Sequence, residues 1–83
     1  MNKILYFSAA WCGPCKALGP TIDLLASQGL PVQKIDVDRD LKLASQYSVK
    51  NVPTLVKIDA SGNALGRLVG NQTASDIKSW FEN

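Results

Sequence analysis

The only two thiols in 83 residues, Cys12 and Cys15, stand two residues apart in Trp11-Cys12-Gly13-Pro14-Cys15-Lys16. Cysteines at i and i+3 on a first helical turn lie roughly 5 Å apart at Cα, inside the window a disulfide needs. Such a bridge can close and open with little backbone movement. Unpaired N–H groups and the positive end of the helix dipole favour a thiolate at a helix start. The pattern therefore points to reversible dithiol–disulfide chemistry. Three other uses compete with it. A structural staple would gain only about 2 kcal/mol from so small a ring. Zinc takes about four ligands, and two cysteines without a histidine supply half a site, so no metal is expected. Two inert, buried thiols would have no reason to share this spacing.

The elements that position the pair follow from periodicity. Lys3 to Phe7, within a strand from Asn2 to Ser8, is apolar on both faces and suits a central strand. From Gly13 to about Gln28, the residues Cys15, Leu18, Ile22 and Leu25 recur at helical spacing, with Leu24 and Ala26 widening the face. Pro14 fits a first turn, Pro20 should kink the helix, and Gly29 should stop it. Pro31 to Val37 reads as a second strand, parallel to the first because a helix crosses between them. Asp38 or Asp40 can cap a short helix to about Tyr47, packing through Leu43, Ala44 and Tyr47. Thr54 to Asp59 and Ala64 to Val69, joined by the turn at 60–63, form an antiparallel hairpin. Thr73 or Ser75 opens a last helix with Ile77, Trp80 and Phe81 on one face, which makes Trp80 a core residue. The order is βαβαββα, an α/β domain over residues 1–83 with a mixed four-stranded sheet and helices on both faces.

Composition narrows the function. At 46% hydrophobic and 19% charged, the chain is an ordinary globule and not a disordered one. Its nine basic and seven acidic residues are scattered, and no basic cluster interleaves with aromatics, so nucleic-acid binding has no support. The apolar runs are too short to span a membrane. Met1-Asn2-Lys3 leads straight into the first strand, which leaves no room for a leader and points to a cytoplasmic protein. A mature exported form is the alternative. In a reducing compartment a lone Cys-x-x-Cys pair is catalytic more often than structural.

The Trp11–Lys16 stretch resembles the redox motif of the thioredoxin family. The resemblance extends from Lys3 to the end through Tyr47-Ser48-Val49-Lys50-Asn51-Val52-Pro53-Thr54, the hairpin glycine Gly62 and Gly70 after the last strand. It implies a thioredoxin-like fold that lacks the family's first strand and helix. It implies Cys12 as an exposed attacking thiol and Cys15 as a buried resolving thiol. It further implies a cis Pro53 facing the cysteines, with the Val52 backbone free to pair with an extended substrate. Trp11, Gly13, Pro14 and Gly70 would complete the docking groove, while Lys16 is read as a solvated helix residue. The expected activity is protein disulfide reduction by a monomer without a bound cofactor. Electrons would come from an NADPH-linked thioredoxin reductase or another thiol donor. Lowering a thiol from about 8.5 to the family's value near 7 raises the thiolate fraction roughly 16-fold at pH 7. Lost nucleophilicity takes back about 4- to 6-fold, so substrate alignment must contribute as well.

One departure stands out. The family's buried aspartate, six residues before the first cysteine, is Tyr6 here, whereas its nearby lysine matches Lys34. A tyrosine is a poor base at neutral pH, which makes core filling the expected role of Tyr6 and leaves Lys34 without its family partner. Two rival functions remain: a glutaredoxin-like reductase using glutathione, and a non-catalytic docking subunit of a larger enzyme. The Gly13-Pro14 pair between the cysteines favours the thioredoxin type over the first, and intact Cys12 and Cys15 argue against the second.

Overall fold

The strand β1 (Lys3–Ser8) buries four consecutive residues, Ile4 to Phe7, because it is flanked by strands on both edges and covered on both faces. A computed structural model describes residues 1–83, with β1 followed by α1 (Gly13–Ser27), β2 (Val32–Asp36), α2 (Leu41–Gln46), β3 (Thr54–Ile58), β4 (Ala64–Val69) and α3 (Ala74–Glu82). The sheet order is β2-β1-β3-β4. β1 pairs parallel to β2, with Tyr6 opposite Lys34, and antiparallel to β3, with Tyr6 opposite Leu55. β3 and β4 form the expected antiparallel hairpin. The βαβαββα reading and the mixed sheet both hold.

Alternation along the strands divides the core in two. Ile4, Tyr6 and Leu55 join Leu18, Ile22, Leu25 and Ile77 on the face covered by α1 and α3. Leu5, Phe7, Val56 and Ile58 join Ile35, Ala44 and Tyr47 on the α2 face. Neither cluster contains a cysteine.

One expectation needs correction. Leu24 is 50% exposed and Ala26 is exposed, so the buried stripe of α1 is only Cys15, Leu18, Ile22 and Leu25. At about 100° per residue, Leu24 falls about 200° around the helix from Ile22 and so faces away from the sheet. Trp80 packs against the first cluster as expected, half-buried and lying over Gly66 of the hairpin. Lys34, without the family's aspartate, is exposed on β2 and forms an ion pair with Asp23 of α1 instead. Asp40, not Asp38, caps α2 by accepting the Leu43 N–H.

One buried charge escaped the sequence reading altogether. Lys57 is 6% exposed in the middle of β3, and its ammonium donates to the carbonyls of Trp80 and Asn83 at the end of α3. Those are helix-terminal carbonyls with no intrahelical donor, carrying the negative end of the dipole. The lysine serves as their partner.

Candidate active site

Four chain segments meet at one end of the sheet. β1 and β2 end there, β3 begins there, and β4 ends there, since β3 alone runs the other way. Backbone bonds tie the segments together. The Val37 N–H donates to the Ser8 carbonyl at 2.9 Å, the Cys12 N–H to Ala9 at 3.1 Å, and the Gly70 N–H to Pro53 at 2.9 Å. Gly70 has φ +87°, a conformation that L side chains rarely adopt, and it lets the chain leave β4 while holding this last bond.

Cys12 and Cys15 are joined as a disulfide with a Cα–Cα separation of 5.2 Å, as their spacing requires. The sequence makes this geometry locally. Cys12 is the N-cap of α1, in an extended conformation, and its sulfur accepts the Cys15 N–H at 3.1 Å. The Lys16 N–H goes to the Cys12 carbonyl. Pro14 has no N–H to satisfy. The helix start therefore directs a donor at the Cys12 sulfur, the arrangement that stabilises a thiolate there.

Exposure does not separate the two sulfurs as expected. Cys12 is 3% exposed and Cys15 is 5% exposed. The cap position folds Cys12 back over the helix start, where Ala9, Val37 and Val52 close around it. What distinguishes the cysteines is their neighbours. The Cys12 sulfur lies 3.6 Å from the Val52 carbonyl oxygen. Cys15 sits within the first turn, and its carbonyl oxygen accepts the Tyr6 hydroxyl at 3.0 Å.

The Val52–Pro53 peptide is cis and Pro53 is buried, with Val52 half-buried beside the bridge. Trp11 is 69% exposed, and its indole N–H donates to the Asp38 carboxylate at 2.7 Å. Trp11, Val37, Val49, Lys50, Asn51 and Val52 line an open depression of about 250 Å³. Gly13, Pro14 and Lys16 are exposed at the start of α1. Sequence reasoning missed Asp38 as the anchor of Trp11, and Val37, Val49, Lys50 and Asn51 as walls. The signal for Val49 to Asn51 was the stretch before Pro53. Ser48, with φ +54°, turns the chain from α2 into that wall.

Tyr6 is 4% exposed. Burial pushes its hydroxyl above the ordinary tyrosine value, opposed in part by Ser8 and Lys34. It is thus a hydrogen-bond donor at neutral pH and no base. No group of three or more His, Cys, Asp or Glu residues could hold a metal ion, and no helix is long and apolar enough to cross a membrane.

Comparison with known proteins agrees with this geometry. The thioredoxin family model matches residues 2–83. Thioredoxin of Chlamydia trachomatis is 41% identical over 70 residues, covering 81% of this chain and 67% of that protein. Thioredoxin of Staphylococcus epidermidis is 33% identical over 78 residues, covering 90% and 74%. Among solved structures, a single-site mutant of thioredoxin from Halobacterium salinarum superposes with a TM-score of 0.88 at 43% identity, covering 98% of this chain and 72% of the other. Fasciola hepatica thioredoxin gives 0.87 at 30% identity, covering 98% and 78%.

Proposed function

The chain belongs to the thioredoxin family and is a protein disulfide oxidoreductase, and from that premise we propose that Cys12 is the attacking thiol and Cys15 the resolving one. The observation that carries this assignment is the Cys15 N–H aimed at the Cys12 sulfur from the start of α1. In the reduced protein the Cys12 thiolate attacks one sulfur of a substrate disulfide. A Cys12–substrate bond forms, and the other substrate sulfur leaves as a thiolate and takes a proton. Cys15 then attacks the Cys12 sulfur, closing the bridge and releasing the second substrate thiolate. Two electrons pass to the substrate.

The substrate groove in this reading comprises Trp11, Gly13, Pro14, Val52, Pro53 and Gly70. An extended substrate segment pairs with the Val52 backbone, beside the attacking sulfur. Tyr6 and Lys34 stand behind the site, with Lys34 held by Asp23. A disulfide reductase such as an NADPH-linked thioredoxin reductase restores the dithiol. The protein acts as a monomer in redox homeostasis and electron transport in the cytoplasm. Its use of cysteine for a single exchange pair supports that compartment.

Trapping tests the assignment. Cys15→Ser should accumulate a mixed disulfide with a substrate protein, and Cys12→Ser should not; the reverse pattern would sink it. Turnover with thioredoxin reductase and NADPH should exceed turnover with glutathione and glutathione reductase. The opposite ranking would favour the glutathione-dependent reading.

A further inference from the structure

We propose that Tyr6 is a positioning residue for the exchange reaction: its hydroxyl holds the Cys15 carbonyl so that the Cys15 N–H stays aimed at the Cys12 sulfur. The inference rests on the attacking role proposed for Cys12. Two hydrogen bonds carry it. The buried Tyr6 hydroxyl donates to the Cys15 carbonyl at 3.0 Å, and the Cys15 N–H donates to the Cys12 sulfur at 3.1 Å. The N–H and the carbonyl belong to the two peptide planes that meet at the Cys15 Cα, so anchoring the carbonyl from β1 narrows the φ/ψ range of the residue whose N–H caps the Cys12 sulfur.

The helix is least self-sufficient at this point. Pro20 lies inside α1 and has no N–H, so the Lys16 carbonyl, next along from that of Cys15, lacks its intrahelical donor. No acidic side chain stands in the first turn to cap it. From the sheet, the Tyr6 hydroxyl reaches the carbonyl next to that gap and ties this weakened first turn to β1. Tyr6 is rigid enough for the task, packed in the cluster with Ile4, Leu18, Ile22 and Leu55. Its burial keeps the hydroxyl protonated while thiols titrate. The charged groups nearest it are Lys34 on β2 and Asp23 on α1, paired with each other. Beside the cysteine turn stand Lys16 and Asp38, the latter bonded to Trp11. A change confined to the Tyr6 hydroxyl leaves all four in place.

The test is the pH profile of Cys12 alkylation by iodoacetamide in the reduced protein, with the modified cysteine identified by peptide mapping. Tyr6→Phe removes one oxygen and keeps the ring. It should raise the alkylation midpoint by about half a pH unit, a roughly threefold slower reaction below the midpoint. Tyr47→Phe is the control, because the Tyr47 hydroxyl also donates to a backbone carbonyl, that of Gly62, at 2.6 Å. That bond lies in the β3–β4 turn, at the opposite end of the sheet, and its loss should not move the midpoint. Placing 3-fluorotyrosine at position 6 needs no loss of packing. Its more acidic hydroxyl donates more strongly and should shift the midpoint downward. An unmoved midpoint in Tyr6→Phe, or equal shifts in both phenylalanine variants, overturns the proposal. A midpoint near 8.5 in the unmutated protein, that of an ordinary thiol, would overturn the attacking role of Cys12 and this inference with it.

Discussion

Reducing the Cys12–Cys15 bridge should cost little stability, and the size of the cost separates an exchange disulfide from a staple. The bridge closes a ring of four residues, 12 to 15. Chain entropy then assigns it about 2 kcal/mol, against about 4 to 5 for a ring of a hundred residues. The packing points the same way, because the cysteines lie in a small cluster with Ala9 while the two large clusters close without them. Urea unfolding of the oxidised and reduced proteins at pH 7, followed by far-ultraviolet circular dichroism, measures the difference. With a slope of about 1–2 kcal/mol/M for so small a chain, the midpoint should fall by about 1–2 M on reduction. The reduced protein should remain folded in water, as a reagent that must present a thiolate in a formed site has to be. A loss above about 4 kcal/mol, or a reduced protein without structure, would refute the reasoning and make the bridge a structural element.

Trp11→Ala should weaken reduction of a protein disulfide, mainly through KM, while unfolding shifts by no more than about 0.5–1 kcal/mol. The side chain is a wall of the open depression and carries only one exposed hydrogen bond, to Asp38; unchanged kinetics would remove it from the groove. Asp59 titrates below the usual carboxylate range because backbone N–H groups of the hairpin turn, chiefly that of Asn63, donate to it. A depressed carboxyl stabilises the fold above its unfolded value and loses that stabilisation as pH falls through its folded value. Asp59→Asn should therefore flatten the decline of stability between pH 5 and pH 2, and an unaltered decline would contradict the assignment. Tyr6→Asp should cost about 3–5 kcal/mol for the lost ring, and the buried carboxyl should sit above its unfolded value. Its stability should then fall as pH rises through that folded value; a rise over pH 4–8 in urea unfolding would show that Lys34 leaves Asp23 to pair with it.

The elements were legible because each announces itself within a few residues. Ile4 to Phe7 form an unbroken apolar run, Cys15, Leu18, Ile22 and Leu25 fall on one helical stripe, and glycines stand at the turns. What was illegible depends on partners distant in sequence. A lysine inside a strand reads as a solvent-facing residue, and Lys57 is buried only because α3 brings its last carbonyls to it. Tyr6 leaves Lys34 without its family partner, and the residue that pairs with it instead, Asp23, comes from the helix above. Asp38 and Asp40 are equally good caps by residue type. The choice between them is tertiary, since Asp38 is taken by the Trp11 indole. The family resemblance implied an exposed Cys12, but Val37 and Val52, distant in sequence, enclose it.

This separation of core from site has a consequence for how the protein responds to change. The reacting segments are strand ends and loops, tied to one another by backbone bonds, while stability resides in two clusters on either face of the sheet. Substitutions at Trp11, Lys50 or Asn51, which line the open depression, should therefore have little effect on folding, because those side chains are exposed. Substitutions at Phe7 or Ile22 do the reverse, because both are fully enclosed. Tyr6 belongs to both sets: its ring fills the α1–α3 face and its hydroxyl bonds the cysteine turn. An aspartate at that position would offer an acceptor for a proton; the tyrosine offers a donor to the backbone. With no base behind Cys15, its proton must go to water or to the departing substrate thiolate. Speed must then come from alignment of the first turn, the quantity that Tyr6 controls.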